Sequence, residues 1–273
     1  MVGTLIVCAG PIGNLGDAPP RLGEALAAAE VIYVEDTRRA RVLLDRLGVD
    51  RPVRSYFVGN EEERSREVAS RIAAGETVAL LTDAGTPGVA DPGLSAVRAA
   101  LQAGGTVTGV PGPSAVTLAI ALSGLPADRF VFEGFLPRRG RERSQRLAGI
   151  AAEARTVVFF ASPNRLAADL ADLAAVHEGD RACVVCRELT KLHEEVWRGD
   201  LDAAAEHWGG MDRVRGEVTV VLGPGTSSAP DLTAAITTTR RLVASGVAPS
   251  EAVRRVAQET GVSRRDLYRA VVA

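Results

Sequence analysis

Two adjacent carboxylates and an arginine close an apolar run at Val34-Glu35-Asp36-Thr37-Arg38. A carboxylate at a strand end can take the proton of a reacting hydroxyl, so Asp36 and Glu35 are candidate general bases. The same residue types also make a helix N-cap with a surface ion pair, and the pentad alone does not choose between the two. The run Leu80-Leu81-Thr82-Asp83-Ala84-Gly85-Thr86-Pro87-Gly88-Val89-Ala90-Asp91-Pro92-Gly93 is more specific. A turn needs one glycine and one proline; here three glycines and two prolines fall within nine residues. Long irregular loops at strand ends are usually functional, and this one offers stiff backbone donors and acceptors beside the Asp83 carboxylate. Asp91 reads as the cap of a helix whose first position is Pro92.

A third stretch, Ala9-Gly10-Pro11-Ile12-Gly13-Asn14-Leu15-Gly16-Asp17, follows the first apolar run. Its glycines let backbone approach a ligand at the C-terminal edge of an α/β sheet. The spacing is not Gly-x-Gly-x-x-Gly, and Pro11 has no N–H to give a phosphate, which disfavours a dinucleotide. Arg138, Arg139, Arg141, Arg143 and Arg146, opposed only by Glu142, form the densest basic run. It reads as a solvated loop or as an arm that grips phosphate. No metal site is expected. Cys183-Val-Val-Cys186 is solitary and lies in an apolar strand, where residues three apart face opposite sides. His177, His193 and His207 share no ligand spacing.

The elements that must carry these stretches alternate. Strands are predicted at Thr4 to Ala9, Val31 to Val34, Val53 to Phe57, Thr77 to Leu81 and Thr106 to Val110. Helices fall between them at about Arg21 to Ala29, Arg39 to Leu47, Glu62 to Ala74 and Pro92 to Ala103. Strands and helices of these lengths imply right-handed βαβ units around a parallel sheet. Val110-Pro111-Gly112-Pro113-Ser114 breaks the pattern and marks a domain junction. Beyond it come a helix from Ser114 to Ser123 and strands at Phe130 to Phe132, Thr156 to Phe160, Arg181 to Arg187 and Val218 to Leu222. A more exposed strand is predicted at Glu194 to Gly199. Fewer helices between strands imply a mixed or antiparallel sheet. Gly223 to Pro230 reads as a linker, and the remainder is helical. There, Thr260-Gly261-Val262 and a Ser263 cap have the spacing of a helix-turn-helix, with Arg264, Arg265 and Arg269 on its second helix. A plain helical hairpin with a basic face has the same pattern. The predicted division is an α/β domain over 1–112, a second over 113–225 and a helical extension over 226–273.

At 273 residues, with 46% apolar and 24% charged residues, the chain has an ordinary globular composition. A net charge of −2 gives no global footprint for nucleic acid, so any contact with nucleic acid must come from local patches. Every basic side chain but Lys191 is arginine, apart from the histidines, which codon bias explains. Three cysteines without framework spacing point to a reducing compartment, and the first residues carry no basic, apolar leader. The expectation is a soluble, cytoplasmic protein that does not contact membrane.

Taken together and in order, the three loops, Pro111-Gly112-Pro113-Ser114-Ala115, Leu122-Ser123-Gly124-Leu125-Pro126 and Asp128-Arg129-Phe130 carry a resemblance. Glu133-Gly134-Phe135-Leu136-Pro137, Ser162-Pro163, Arg165 and Glu188-Leu189-Thr190-Lys191 continue it. The chain resembles the small-subunit rRNA cytidine 2′-O-methyltransferases of the tetrapyrrole-methylase superfamily, over nearly its whole length. The resemblance implies two α/β domains with S-adenosylmethionine in the cleft between them, and a homodimer. It places the cofactor against Pro11, Asp83, Ala84, Gly85, Thr86, Ser114 and Ala115, with Phe160-Ala161 and Val220 closing the far side. The substrate it implies is small-subunit rRNA or the 30S particle, with Asn14, Arg38, Arg138, Arg139 and Arg141 as candidates for holding RNA. Methyl transfer to an alcohol needs orientation and a base, the role expected of Asp36 or Glu35. Two other readings share parts of the pattern: a tetrapyrrole carbon methyltransferase, and a nucleic-acid-binding regulator with a vestigial methylase fold. The Glu35–Arg38 and Glu188–Lys191 motifs speak against the first, the intact Asp83 loop against the second.

Overall fold

The computed structural model describes residues 2–177, 180–225, 232–260 and 262–272. Five strands form the first sheet: β1 (Thr4–Cys8), β2 (Val31–Val34), β3 (Val53–Ser55), β4 (Thr77–Leu81) and β5 (Thr106–Val110). Their order is β3-β2-β4-β1-β5 and every pairing is parallel. Helices α1 (Pro20–Ala28), α2 (Thr37–Leu47), α3 (Glu61–Ala73) and α4 (Leu94–Gln102) connect them. The unbroken apolar run of β2 is what a strand covered on both faces requires. Ile32 and Val34 pack with Leu22, Leu26 and Leu44 beneath α1 and α2, while Val31 and Tyr33 pack with Val68 and Ile72 beneath α3.

Helix α5 (Ala115–Ser123) leads into a second sheet of β6 (Phe130–Phe135), β7 (Thr156–Ala161), β8 (Ala182–Arg187), β9 (Glu195–Asp200) and β10 (Val218–Leu222). The order is β6-β7-β10-β8-β9; β6 and β7 run parallel and the other pairs antiparallel. One face packs on α6 (Gly140–Ala152), α7 (Leu166–Val176) and α8 (Leu201–Gly209) around Phe159, Leu170 and Trp208. The other face meets α5 through Val158, Val184 and Val221, which pack on Val116, Ala119 and Ile120. Cys183 lies in the first of these cores and Cys186 in the second, so strand alternation does separate the cysteine pair. Three helices end the chain, α9 (Leu232–Ala244), α10 (Pro249–Thr260) and α11 (Arg264–Val272), around Ala235, Val253, Val256 and Leu267. Residues 226–230 of the predicted linker, and Gly261 of the predicted turn, lie outside the described residues.

Three local expectations are corrected. Helix α4 starts at Leu94, not Pro92, because Pro92 and Gly93 belong to a preceding turn in which the Gly88 amide donates to the Pro92 carbonyl at 3.1 Å. The arginine-rich run is not a loop: all but Arg138 and Arg139 lie on α6. Strand β6 runs on to Phe135 through an irregularity in its pairing with β7.

Candidate active site

The C-terminal ends of β1, β4 and β5 bring together the Ala9–Asp17 loop, the Asp83–Gly93 loop and the Pro111–Ser114 junction. The Gly10 amide donates to the Gly85 carbonyl at 2.8 Å, joining the first loop to the Asp83–Gly93 loop. Gly85 has φ +73°, a backbone that other residues rarely adopt. A Cβ on Gly112 would stand 2.9 Å from the Ala9 carbonyl oxygen, so the Pro-Gly-Pro junction packs only as glycine. A cavity of about 410 Å³ opens between these loops and the second sheet, within the usual range for a small-molecule site. Ala84, Gly85, Thr86, Ser114 and Ala115 line its near side, with Phe160, Ala161, Ser162 and Thr219 opposite.

Pro11, Asp83 and Val220 do not line it. Pro11 is buried within its loop and leaves the wall to Ile12. Val220 points into the core beside Phe159 and Leu222, because alternation along β10 turns Thr219 to the cleft instead. The Asp83 carboxylate is engaged elsewhere: it accepts from the Asp36 amide at 3.1 Å and from the Arg39 guanidinium at 3.1 Å. It ties the β2–α2 turn to the end of β4.

The two candidate bases differ sharply. Asp36 is the N-cap of α2; its carboxylate accepts from the Arg38 amide at 2.7 Å and the Arg39 amide at 3.4 Å. Those backbone hydrogen bonds hold its acidity above that of an ordinary aspartate. Glu35 is half-buried at the end of β2, where burial and then the charges of Asp83 and Asp91 push its pKa up. Asp91 does not cap α4. Its carboxylate accepts from the Thr82 hydroxyl at 3.0 Å and lines the cavity, and burial raises its pKa as well. Asn14 and Arg38 are exposed, but the Asn14 side chain accepts from the Gly16 amide at 2.9 Å to close a short helical turn.

The turn Glu188-Leu189-Thr190-Lys191, between β8 and β9 of the second sheet, reaches across to the first loop. Its Thr190 hydroxyl accepts from the Asn14 amide at 3.2 Å, and the stem of Lys191 lies on Gly13 where a Cβ would sit. The Lys191 ammonium donates to Glu188 at 2.8 Å and to Glu217 at 3.0 Å. Among the described residues, three other than glycine have positive φ: Ala90, Glu188 and Thr190. Ala90 lines the cavity and the other two sit in this turn, so backbone strain concentrates where the cleft is held.

Of the arginine-rich run, Arg143 is buried, with ion pairs to Asp169 at 2.9 Å and Asp172 at 2.5 Å and a hydrogen bond to the Pro137 carbonyl at 2.9 Å. Arg146 pairs with Glu133 at 2.6 Å. These two hold α6 down, which corrects the reading of the whole run as one free arm. Arg138, Arg139 and Arg141 remain exposed. Burial raises the three thiols, Cys8 and Cys183 to about 12 and Cys186 to about 11, which leaves them neutral. Among the described residues no cluster of three or more His, Cys, Asp or Glu side chains could hold a metal ion. Sequence reasoning missed Thr82, Arg39 and Glu217 as members of the site. Thr82 lies inside the Leu80–Gly93 run and Arg39 directly follows Glu35–Arg38, whereas nothing local marks Glu217.

A family model described as Tetrapyrrole (Corrin/Porphyrin) Methylases matches residues 4–205. The "Ribosomal RNA small subunit methyltransferase I" of Mycobacterium tuberculosis is 46% identical over 273 residues, 99% of this chain and 95% of that protein. The protein of the same name from Xylella fastidiosa is 42% identical over 269 residues, 97% of this chain and 98% of its own length. Among solved structures, the uroporphyrin-III C-methyl transferase of Thermus thermophilus complexed with S-adenyl homocysteine superposes with a TM-score of 0.57 at 24% identity. That superposition covers 81% of this chain and 96% of the other. Its parallel sheet, mixed sheet and the cleft between them thus have counterparts in known folds, and the chain belongs to the tetrapyrrole methylase family.

Proposed function

We propose that this chain is an S-adenosylmethionine-dependent methyltransferase of small-subunit ribosomal RNA, and that it methylates a cytidine ribose 2′-hydroxyl. The observation that carries the reading is its identity, at 46% over 99% of the chain, with a protein named for methylating that RNA. The cavity walls fit the cofactor. Ile12, Val116, Phe160 and Leu189 give an apolar surface for a flat heterocycle. The N-cap residue of α5, Ser114, makes no side-chain hydrogen bond to its own helix, which leaves first-turn amides for a carboxylate. Asp91 faces the same space and suits a cation.

When bound, S-adenosylmethionine supplies a methyl group activated on a sulfonium. The chain's own work is to orient and to take a proton. Glu35 stands behind the cavity wall rather than in its lining, beside Thr82 and next to Asp91, which does line it. We assign Glu35 the role of the general base that receives the proton of the 2′-hydroxyl as the oxygen takes the methyl group. Asp36 keeps α2 in register and holds the Glu35 backbone at the strand end. Asp83, with Arg39, fixes the same turn beside the cofactor loop. Arg38, Arg138, Arg139 and Arg141 are free to meet RNA phosphate, as is the amide end of Asn14. The substrate, naked rRNA or the 30S particle, places the reaction in the cytoplasm. The exposed apolar side chains Phe57, Val58, Leu94 and Leu101 favour a homodimer.

The test offers radiolabelled methyl donor to unmethylated small subunits, naked rRNA and a porphyrinogen. Label in rRNA, released as a 2′-O-methylcytidine on digestion, is the expected result. Label in the tetrapyrrole alone would overturn the reading.

A further inference from the structure

Five of the six phenylalanines lie on β6 and β7. Phe159 belongs to the core, but Phe135 and Phe160 line the cleft, with Phe132 packed beside Phe160. Their arrangement depends on the irregularity in β6. Phe132 pairs with Val158 and Phe135 with Phe160, so three steps along β6 match two along β7. The extra residue is a β-bulge, and Gly134 within it has φ +63° with open space around its missing side chain. Regular alternation would turn Phe135 away from Phe132. The bulge turns it back, and its ring lies 5.5 Å from that of Phe160, which meets Phe132 edge-on at 5.0 Å. Bulges near active sites commonly re-aim one side chain in this way.

The re-aimed ring is not core. Phe135 lines the mouth of the cavity and is 58% exposed. Single exposed apolar residues are common, but this one is placed by a bulge, braced by a second ring and set at a ligand cleft. Three to six residues further on stand the exposed Arg138, Arg139 and Arg141. An exposed aromatic face beside unpaired guanidinium groups is the equipment that binds unstacked nucleotides.

We propose that Phe135 is the platform on which the nucleobase of the acceptor nucleotide stacks while its ribose enters the cleft. The inference rests on the RNA-methylating reading. A ribose can reach the cleft floor only if its base leaves the helical stack, and an aromatic face returns part of that cost. Every base has a π-face, so Phe135 supplies affinity and position rather than base identity.

The experiment compares wild type with F135L and F135W, reading methyl transfer to unmethylated small subunits, calorimetric affinity for S-adenosylhomocysteine, and thermal midpoint. F135L keeps an apolar side chain but loses the π-face. It should lower kcat/KM about 5- to 150-fold, mostly through KM, with cofactor affinity within twofold of wild type. F135W should restore kcat/KM, and its emission, after subtraction of the wild-type signal, should be quenched by RNA and not by S-adenosylhomocysteine. An F135L enzyme as active as wild type would reduce the ring to packing. A matching loss of cofactor affinity would move Phe135 into the cofactor site. Both results overturn the inference and leave the RNA reading standing, whereas a wild-type protein that methylates no rRNA overturns the two together.

Discussion

Replacing Glu35 with glutamine should slow methyl transfer by about 10²–10⁴-fold while both ligands still bind, the usual cost of losing a general base. Single-turnover rates beside calorimetric affinities separate the two effects. A base must be deprotonated to act, and this one titrates above the ordinary glutamate range. The wild-type rate should therefore fall on the acid side through that raised value. Stability runs the other way. A carboxyl whose folded pKa is raised contributes fully below its unfolded pKa and loses that contribution as pH rises through the folded value. Glu35→Gln should thus raise the thermal midpoint at neutral pH and change it little in acid, as melting at both would show. Asp36→Ala should do the opposite: it removes the α2 cap, lowers the midpoint and leaves the chemical step nearly intact. The sequence placed both carboxylates at a strand end but could not rank them. The ranking depends first on the burial of Glu35, then on Asp83 and Asp91, which lie 48 and 56 positions beyond it in the chain and approach it through the parallel pairing of β2 with β4.

At the scale of elements, apolar periodicity carried the parallel sheet well because β1, β2 and β4 read as unbroken buried runs. It failed where a backbone detail overrides the period. Nothing before Gly134 announces that β6 carries an extra residue, and the Pro92-Gly93 turn displaces the start of α4. The arginine run shows the same limit. A count of charge treats its five arginines alike, whereas helix α6 buries Arg143 against α7 and leaves Arg138, Arg139 and Arg141 outside. Changing those three to alanine should weaken RNA binding across sequences and lower the salt slope by roughly one unit per lost phosphate contact, with the melting curve unmoved. Arg143→Ala should instead leave the buried Asp169 carboxylate with Arg165 alone, at 3.3 Å, and cost about 3 kcal/mol in a denaturant titration. The two experiments separate a surface that binds from one that only packs.

For the whole molecule, a net charge of −2 leaves any RNA binding to basic patches, and α11 presents three arginines. Arg264, Arg265 and Arg269 are exposed on α11, which packs with α9 and α10 around its own small core. Replacing the three with alanine should raise the RNA dissociation constant at low salt and flatten its salt dependence, while S-adenosylhomocysteine affinity is kept. Unchanged RNA affinity would show that the bundle serves another purpose. The helical extension was legible because a capping serine and an apolar stripe are local signals. Which face meets a partner was not, since that depends on how the helices share one core.

The turn that straps the second sheet onto the Gly13-Asn14 loop has a practical consequence. Lys191 is the only lysine in 273 residues, and the next residue, Leu192, is 92% exposed. A lysine-specific protease therefore has one bond to cut. Its recognition side chain is held between Glu188 and Glu217, with its stem against Gly13. Cleavage requires that the strap lift off, and when reclosing is fast the cutting rate follows the population of the lifted form. Two fragments on a gel, timed with and without S-adenosylhomocysteine, would thus clock how often the cleft opens and how far a ligand keeps it shut.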